Sequence, residues 1–81
     1  MKLKILLFGI LADIAGKSGI EIEIEIDKTA DTDSLQKKVN ETYPDFIKTN
    51  YALSLNKKIV NSNQQININD EIALLPPFAG G

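Results

Sequence analysis

The group with the clearest covalent chemistry in this chain is the α-carboxylate of Gly81. It ends the run Pro76-Pro77-Phe78-Ala79-Gly80-Gly81. A carboxylate is a poor electrophile until one of its oxygens becomes a leaving group, most simply by adenylation. Once activated, the acyl carbon can accept sulfur to give a thiocarboxylate, or a lysine amine to give an isopeptide. The residues before it suit delivery. Two prolines fix φ, cannot donate to a sheet ladder, and make a stiff extended exit. Two glycines put no side chain in the way of a narrow channel. Glycine is costly to order, so a tail that is merely solvated has no need of it. Fully extended, six residues reach roughly 20 Å, enough to carry a carboxylate from a compact body into another protein's active site. The ordinary alternative is a small, polar chain end with no role. The dipeptide alone favours that alternative; the prolines and the body of the chain reverse it.

No side-chain constellation competes with this group. The chain has no cysteine and no histidine, which removes disulfides, thiolate nucleophiles, most zinc sites and any Ser-His or Cys-His arrangement. All nine basic residues are lysines, so bidentate phosphate clamps are unavailable. With eleven acids against them and no basic block, nucleic acid is not the expected partner. Gly9, Gly16 and Gly19 match neither dinucleotide-binding nor P-loop spacing. The chain is expected to bind no cofactor and no metal itself. The ATP that adenylation requires belongs to a partner enzyme.

The elements that must position the tail follow from periodicity. At 81 residues the chain is one domain with one modest core, expected as a body over residues 1–75 and an extended tail over 76–81. Its amino end has charge followed by apolar residues, but Gly9 and Asp13 break the run and no small-residue cleavage site follows. No stretch approaches the length of a membrane helix. The segment reads as the first strand of a cytoplasmic protein. Along Lys2–Phe8, Leu3, Ile5 and Leu7 share one face, and Lys2, Lys4, Leu6 and Phe8 the other. The second face turns apolar at its far end, either as an exposed patch or under a covering element. Gly9–Gly16 reads as a short helical turn with Ile10, Leu11 and Ile14, and Lys17-Ser18-Gly19 as a turn.

Ile20 to Ile26 alternates isoleucine with glutamate, the sharpest strand signal in the chain. Ile20, Ile22, Ile24 and Ile26 face the core; Glu21, Glu23 and Glu25 face water. Paired antiparallel with the first strand, those acids fall near Lys2 and Lys4. They could form an acidic docking stripe, though a solvated face is the ordinary account. Spaced about 7 Å apart, they are too far apart to share one metal ion. Residues 27–32 connect onward. Thr32 is the expected N-cap of a helix over Asp33–Tyr43, with Leu35, Val39 and Tyr43 facing the core. Pro44 ends it, and Phe46 and Ile47 are expected to tuck back onto the core. Tyr51–Asn56 is a strand, Lys57-Lys58 a turn into Ile59-Val60, and Asn61–Gln65 a polar loop. Ile66 and Ile68 are apolar anchors, Asn69-Asp70 a turn, and Glu71–Leu75 the last strand. On it Ile72 and Leu74 point one way, Ala73 and Leu75 the other. One amphipathic helix against a mixed sheet is an α+β roll.

The parts together resemble the ubiquitin-like sulfur carriers, and within them the small subunit of molybdopterin synthase. The resemblance spans essentially the whole chain. It rests on Leu7-Phe8-Gly9, the Leu-Ala-Asp-Ile-Ala-Gly segment of residues 11–16, the Leu-rich helix after Thr32, Leu55-Asn56, the Asn-Asp-Glu turn of residues 69–71, and the ending Leu-Pro-Pro-Phe-Ala-Gly-Gly. A terminal Gly-Gly is common to many ubiquitin-like proteins. Pro-Pro, two residues and Gly-Gly after an apolar strand is far more specific. Thiamine-pathway carriers look similar but usually lack the prolines.

The resemblance implies a β-grasp fold, with the first and last strands adjacent and parallel. It implies that Gly81 is adenylated by a ubiquitin-activating-like adenylyltransferase and becomes a thiocarboxylate. The tail would then enter the large synthase subunit and give its sulfur to precursor Z. Two small and two large subunits form such a heterotetramer. On this reading Leu6, Phe8, Ala73, Leu75 and tail residues Pro76, Pro77, Phe78, Ala79 and Gly80 bind the partners. Phe78 stands where the family often has a smaller aliphatic residue. The alternatives are a thiamine-pathway sulfur carrier, a ubiquitin-like protein modifier, or an interaction module whose tail has no role.

Overall fold

The computed structural model describes residues 2–24 and 30–77. The elements in chain order are β1 (Lys2–Leu7), α1 (Ile10–Ala15), β2 (Gly19–Glu23), α2 (Thr32–Thr42), a 3-10 helix (Pro44–Thr49), β3 (Ala52–Leu55), β4 (Lys58–Ile59) and β5 (Ile72–Leu75). They form one mixed sheet of order β2-β1-β5-β3-β4. The central pair, β1 and β5, is parallel; the remaining pairs are antiparallel. This is the β-grasp arrangement, with α2 as the main helix against one face.

Alternation in β1 is strict, with Leu3, Ile5 and Leu7 buried and Lys2, Lys4 and Leu6 exposed. The β1–β2 register sets Lys2 opposite Glu23 and Lys4 opposite Glu21, as the alternation requires. Ile20 and Ile22 are buried and Ile24 is half-buried beyond the strand's end. The part of that strand expected over Glu25 and Ile26, and the connection through Thr29, lie outside the described residues. Under the sheet, Leu35 and Val39 of α2 are fully buried with Leu11, Phe46, Ile72 and Leu74.

The local departures have physical causes. The N-cap of α2 is Asp31, not Thr32: the Asp31 carboxylate accepts from the Ser34 backbone N–H at 2.8 Å. Thr32 is buried and ties the helix to the polar loop instead. Its hydroxyl donates to Asn63 Oδ1 and accepts from the Gln64 N–H. The helix therefore runs one residue earlier at each end, and Tyr43 is its half-buried C-cap. Pro44 ends α2 and also opens the 3-10 helix, where its missing N–H costs nothing. That helix turns Phe46 inward, stacked on Tyr43 with ring centroids 4.9 Å apart, and leaves Ile47 57% exposed. Ile47 is not a core residue. Nor does Ile68 anchor its loop; it is 64% exposed, while Ile66 is buried and bonds its N–H to Ala30 O.

The β3–β4 hairpin turns on Asn56-Lys57 rather than Lys57-Lys58, because Lys58 already pairs with Leu55. Both turn residues have positive φ, 53° and 70°, the pair of values a tight hairpin demands. Asparagine tolerates that region; lysine at φ 70° is strained by about 1 kcal/mol. Relief of that strain exceeds the cost of the freer unfolded chain, about 0.4–1 kcal/mol, only slightly, so Lys57→Gly should stabilise the protein by no more than about 0.6 kcal/mol. A raised denaturant midpoint at constant slope would show it.

Two carboxylates hold loops together and make stability acid-sensitive. The Asp31 carboxyl sits below its usual range, chiefly through the Ser34 backbone N–H and also through Asn63. The Asp70 carboxyl is lowered in the same sense by the Asn67 N–H and then by the Asn56 amide. A depressed folded pKa gives stability that is complete above the unfolded value of about 4 and lost as pH falls through the folded value. The unfolding midpoint should thus drop below about pH 4. Asp31→Asn and Asp70→Asn should each flatten that acid limb.

Candidate functional site

The base of the tail and the outer face of the sheet form the candidate site. Residues paired across neighbouring strands point to the same side, so register alone lays out this face in rows. The row at the tail end holds Phe8, Leu75 and Ala52. Leu75 is paired with Ala52, and the Phe8 N–H continues the β1–β5 ladder onto Leu74 O at 3.3 Å. The next row runs Leu6, Ala73, Ser54, Ile59. Beyond it the face turns polar, with Lys4 opposite Glu21 and then Lys2 opposite Glu23. The outer face is apolar where the chain leaves the sheet and charged at the opposite end.

Exposure within the rows is uneven. Leu6, Phe8 and Ile59 are 44%, 46% and 42% exposed. Among the described residues, no element covers Leu6 and Phe8 on the second face of β1. Leu75 is half-buried. Ala73, named from alternation as a contact residue, does lie on this face between Leu6 and Ser54, but it is buried. It is the floor of the patch, and the larger side chains around it form the rim. Alternation along β5 could not find Ala52, Ser54 or Ile59, because their place depends on how distant strands pair. Ile10, first residue of α1, adds a further exposed apolar side chain just after the Phe8–Gly9 turn.

At the exit, Pro76 is half-buried and Pro77 exposed. The Pro76 ring lies over the α-carbon of Gly9, where a Cβ would stand 2.9 Å from Pro76 Cγ. Phe78, Ala79, Gly80 and Gly81, the remaining expected site residues, lie outside the described residues. Among the described residues no cluster of three or more acidic side chains could hold a metal ion, and no helix is long and apolar enough to cross a membrane.

Comparisons with known proteins give the chain's family. The model of the ThiS family matches residues 5–81. The chain belongs to the ThiS family. A curated relative, the molybdopterin synthase sulfur carrier subunit of Dictyostelium discoideum, is 35% identical over 96% of this chain and 94% of its own length. Among solved structures, SAMP1 from Haloferax volcanii superposes with a TM-score of 0.77 at 20% identity, covering all of both chains. The putative molybdopterin converting factor subunit 1 from Pyrococcus furiosus gives 0.79 at 17% identity, over 96% of this chain and 99% of that one. At such identities the two structures establish the fold alone. The family match runs through residue 81 and so includes the tail.

Proposed function

We propose that this ThiS-family chain is the sulfur carrier of a molybdopterin synthase. The observation that carries the proposal is the end-to-end match to the Dictyostelium sulfur carrier subunit. It is supported by the Pro-Pro-Phe-Ala-Gly-Gly ending, by the absence of any histidine or cysteine, and by the apolar patch at the tail's base.

The chemistry follows from the carboxylate. Gly81 attacks the α-phosphorus of ATP held by a ubiquitin-activating-like adenylyltransferase, and pyrophosphate leaves. Hydrosulfide supplied at the adenylyltransferase then adds to the acyl carbon and AMP leaves with its oxygen, so that one carboxylate oxygen is replaced by sulfur and the thiocarboxylate is free. The thiocarboxylate enters the large synthase subunit and passes its sulfur to precursor Z; water cleaves the acyl–sulfur bond and supplies the oxygen that returns Gly81 to a carboxylate. The chain catalyses none of these steps. Its own contribution is a docking surface, made by Leu6, Phe8 and Leu75 over Ala73, and a deliverable end, made by Pro76 to Gly80.

The test is direct. Incubated with the adenylyltransferase, ATP and a sulfur source, the protein should gain about 16 Da, the difference between sulfur and oxygen. The gain should map to the C-terminal peptide and vanish on mixing with large subunit and precursor Z. A protein that stays at its original mass in the complete mixture would refute the carrier reading. Accumulation of isopeptide-linked conjugates through Gly81 would replace it with the modifier reading, and sulfur delivery to thiazole synthase alone with the thiamine one.

A further inference from the structure

We infer that Gly9 is a positioning residue for the tail: its bare α-carbon is the seat for the Pro76 ring and sets the direction in which the chain leaves the sheet. The inference rests on the carrier reading and adds a residue that does not belong to the docking rim.

Three observations meet at this point. Gly9 has φ 59° and ψ −133°, a conformation essentially reserved for glycine. Its Cα faces the Pro76 ring so closely that a Cβ would lie 2.9, 3.6 and 3.7 Å from ring atoms Cγ, Cδ and Cβ. The seat is also held from both sides. Phe8 N–H bonds to Leu74 O at 3.3 Å, and Gly9 O accepts the Ala12 and Asp13 N–H groups of α1 at 3.1 and 3.3 Å. The turn is thereby fastened to β5 two residues before the proline and to α1 just after the glycine. A general account of positive-φ glycine explains the turn. It does not explain why the vacated volume is filled by the first residue of the tail.

The geometry has leverage. Residues 77–81 reach at most about 17 Å when extended, so a change of about 20° at Pro76 moves their far end by about 6 Å. In a partner's active site a displacement of even 1 Å can cost about a hundredfold in rate. The docking rim does not include Gly9, so changes there should affect the rate of carboxylate activation more than the strength of docking.

The experiment measures activation of Gly81 by the adenylyltransferase, as pyrophosphate release, for the full-length protein and for Gly9→Val, Pro76→Ala and the double variant. Unfolding midpoints are recorded alongside. Gly9→Val should lower kcat by at least about tenfold with KM within about threefold. Pro76→Ala removes Cγ and Cδ, so the double variant should recover the kcat of Pro76→Ala alone. Its unfolding midpoint should stay depressed, because the φ strain at position 9 remains. Gly9→Ala, which makes only the 2.9 Å overlap, serves in the same cycle if the valine variant does not fold. Equal kcat in wild type and folded Gly9 variants, or loss that Pro76→Ala fails to relieve, would overturn the inference and leave Gly9 a turn residue. Absence of pyrophosphate release from the wild type would instead overturn the carrier reading, and the two failures are told apart by that control.

Discussion

Removing Gly80 and Gly81 should abolish thiocarboxylate formation while leaving the fold as stable as before. Truncation after Ala79 still leaves a carboxylate, so the variant tests its position and not its presence. Two residues of extended chain are worth about 7 Å. Rates that fall about a hundredfold for a 1 Å misplacement cannot survive that shift. Stability should be indifferent. The deepest residue of the last strand is Leu74, fully buried and paired with Leu7 and Leu53. The chain beyond it has already reached the exposed Pro77. The unfolding midpoint should therefore move by no more than about 1–2 °C, the scale of a ~0.3 kcal/mol change in a domain of this size. The mass measurement and a thermal scan on one sample check both halves. Retained mass gain in the truncated protein would mean that activation does not depend on the reach that Gly80 and Gly81 give the terminal carboxylate.

The sequence disclosed most where one physical term dominates. Isoleucine-glutamate alternation fixed the face and phase of β2, and lysine-leucine alternation that of β1; the register between them then followed from charge. Leu35 and Val39, four apart on α2, were core residues on spacing alone. Readings failed where two local devices compete for one residue. Thr32 and Asp31 are both good N-caps, and what decided between them was Asn63, thirty-one residues from Thr32. That long-range partner claimed the threonine hydroxyl and left the cap to the aspartate. Phe46 and Ile47 are adjacent apolar residues of which a 3-10 turn can bury only one. Tyr43 supplied a stacking partner for the ring. Ile68 looked like an anchor because isoleucine usually is one, but the Asn67–Asp70 turn, closed by two hydrogen bonds, holds it at the surface.

The candidate site was legible in outline for a related reason. Its tail is a linear motif, and proline and glycine act through their own backbone. Its patch is not linear. Leu6 and Phe8 could be placed on one face of β1, and Ala73 and Leu75 on one face of β5. That these two faces are the same face depends on a parallel crossover between strands about seventy residues apart, which no periodicity encodes. The family resemblance supplied that adjacency, and the β1–β5 register bears it out. The seat at Gly9 was less visible still, since a lone glycine after a strand reads only as a turn. Its meaning comes from Pro76, at the other end of the chain.

The second large effect should come from Phe8. Phe8→Asp should weaken binding to the large synthase subunit at least about a hundredfold, roughly 3 kcal/mol, with little change in stability. The ring is 46% exposed in the free protein, so folding depends on it only partly. It stands in the row that also holds Leu75 and Ala52, immediately beside the tail exit, where a partner that accepts the tail must close over it. A carboxylate there would be buried without a counter-charge, a penalty added to the lost apolar contact. The decisive comparison is with Ile47→Asp and Ile68→Asp. Both isoleucines are more exposed than Phe8, at 57% and 64%, and if exposure alone made a contact residue they would matter more. Neither lies on the Phe8 and Leu6 rows of the outer face, so both variants should bind within about twofold of wild type. Calorimetric titration of the large subunit against the three variants separates the possibilities. Equal losses in all three would mean that apolar surface in general drives the association. A loss confined to Phe8 would mean that the partner reads one end of one face, the end from which the tail departs.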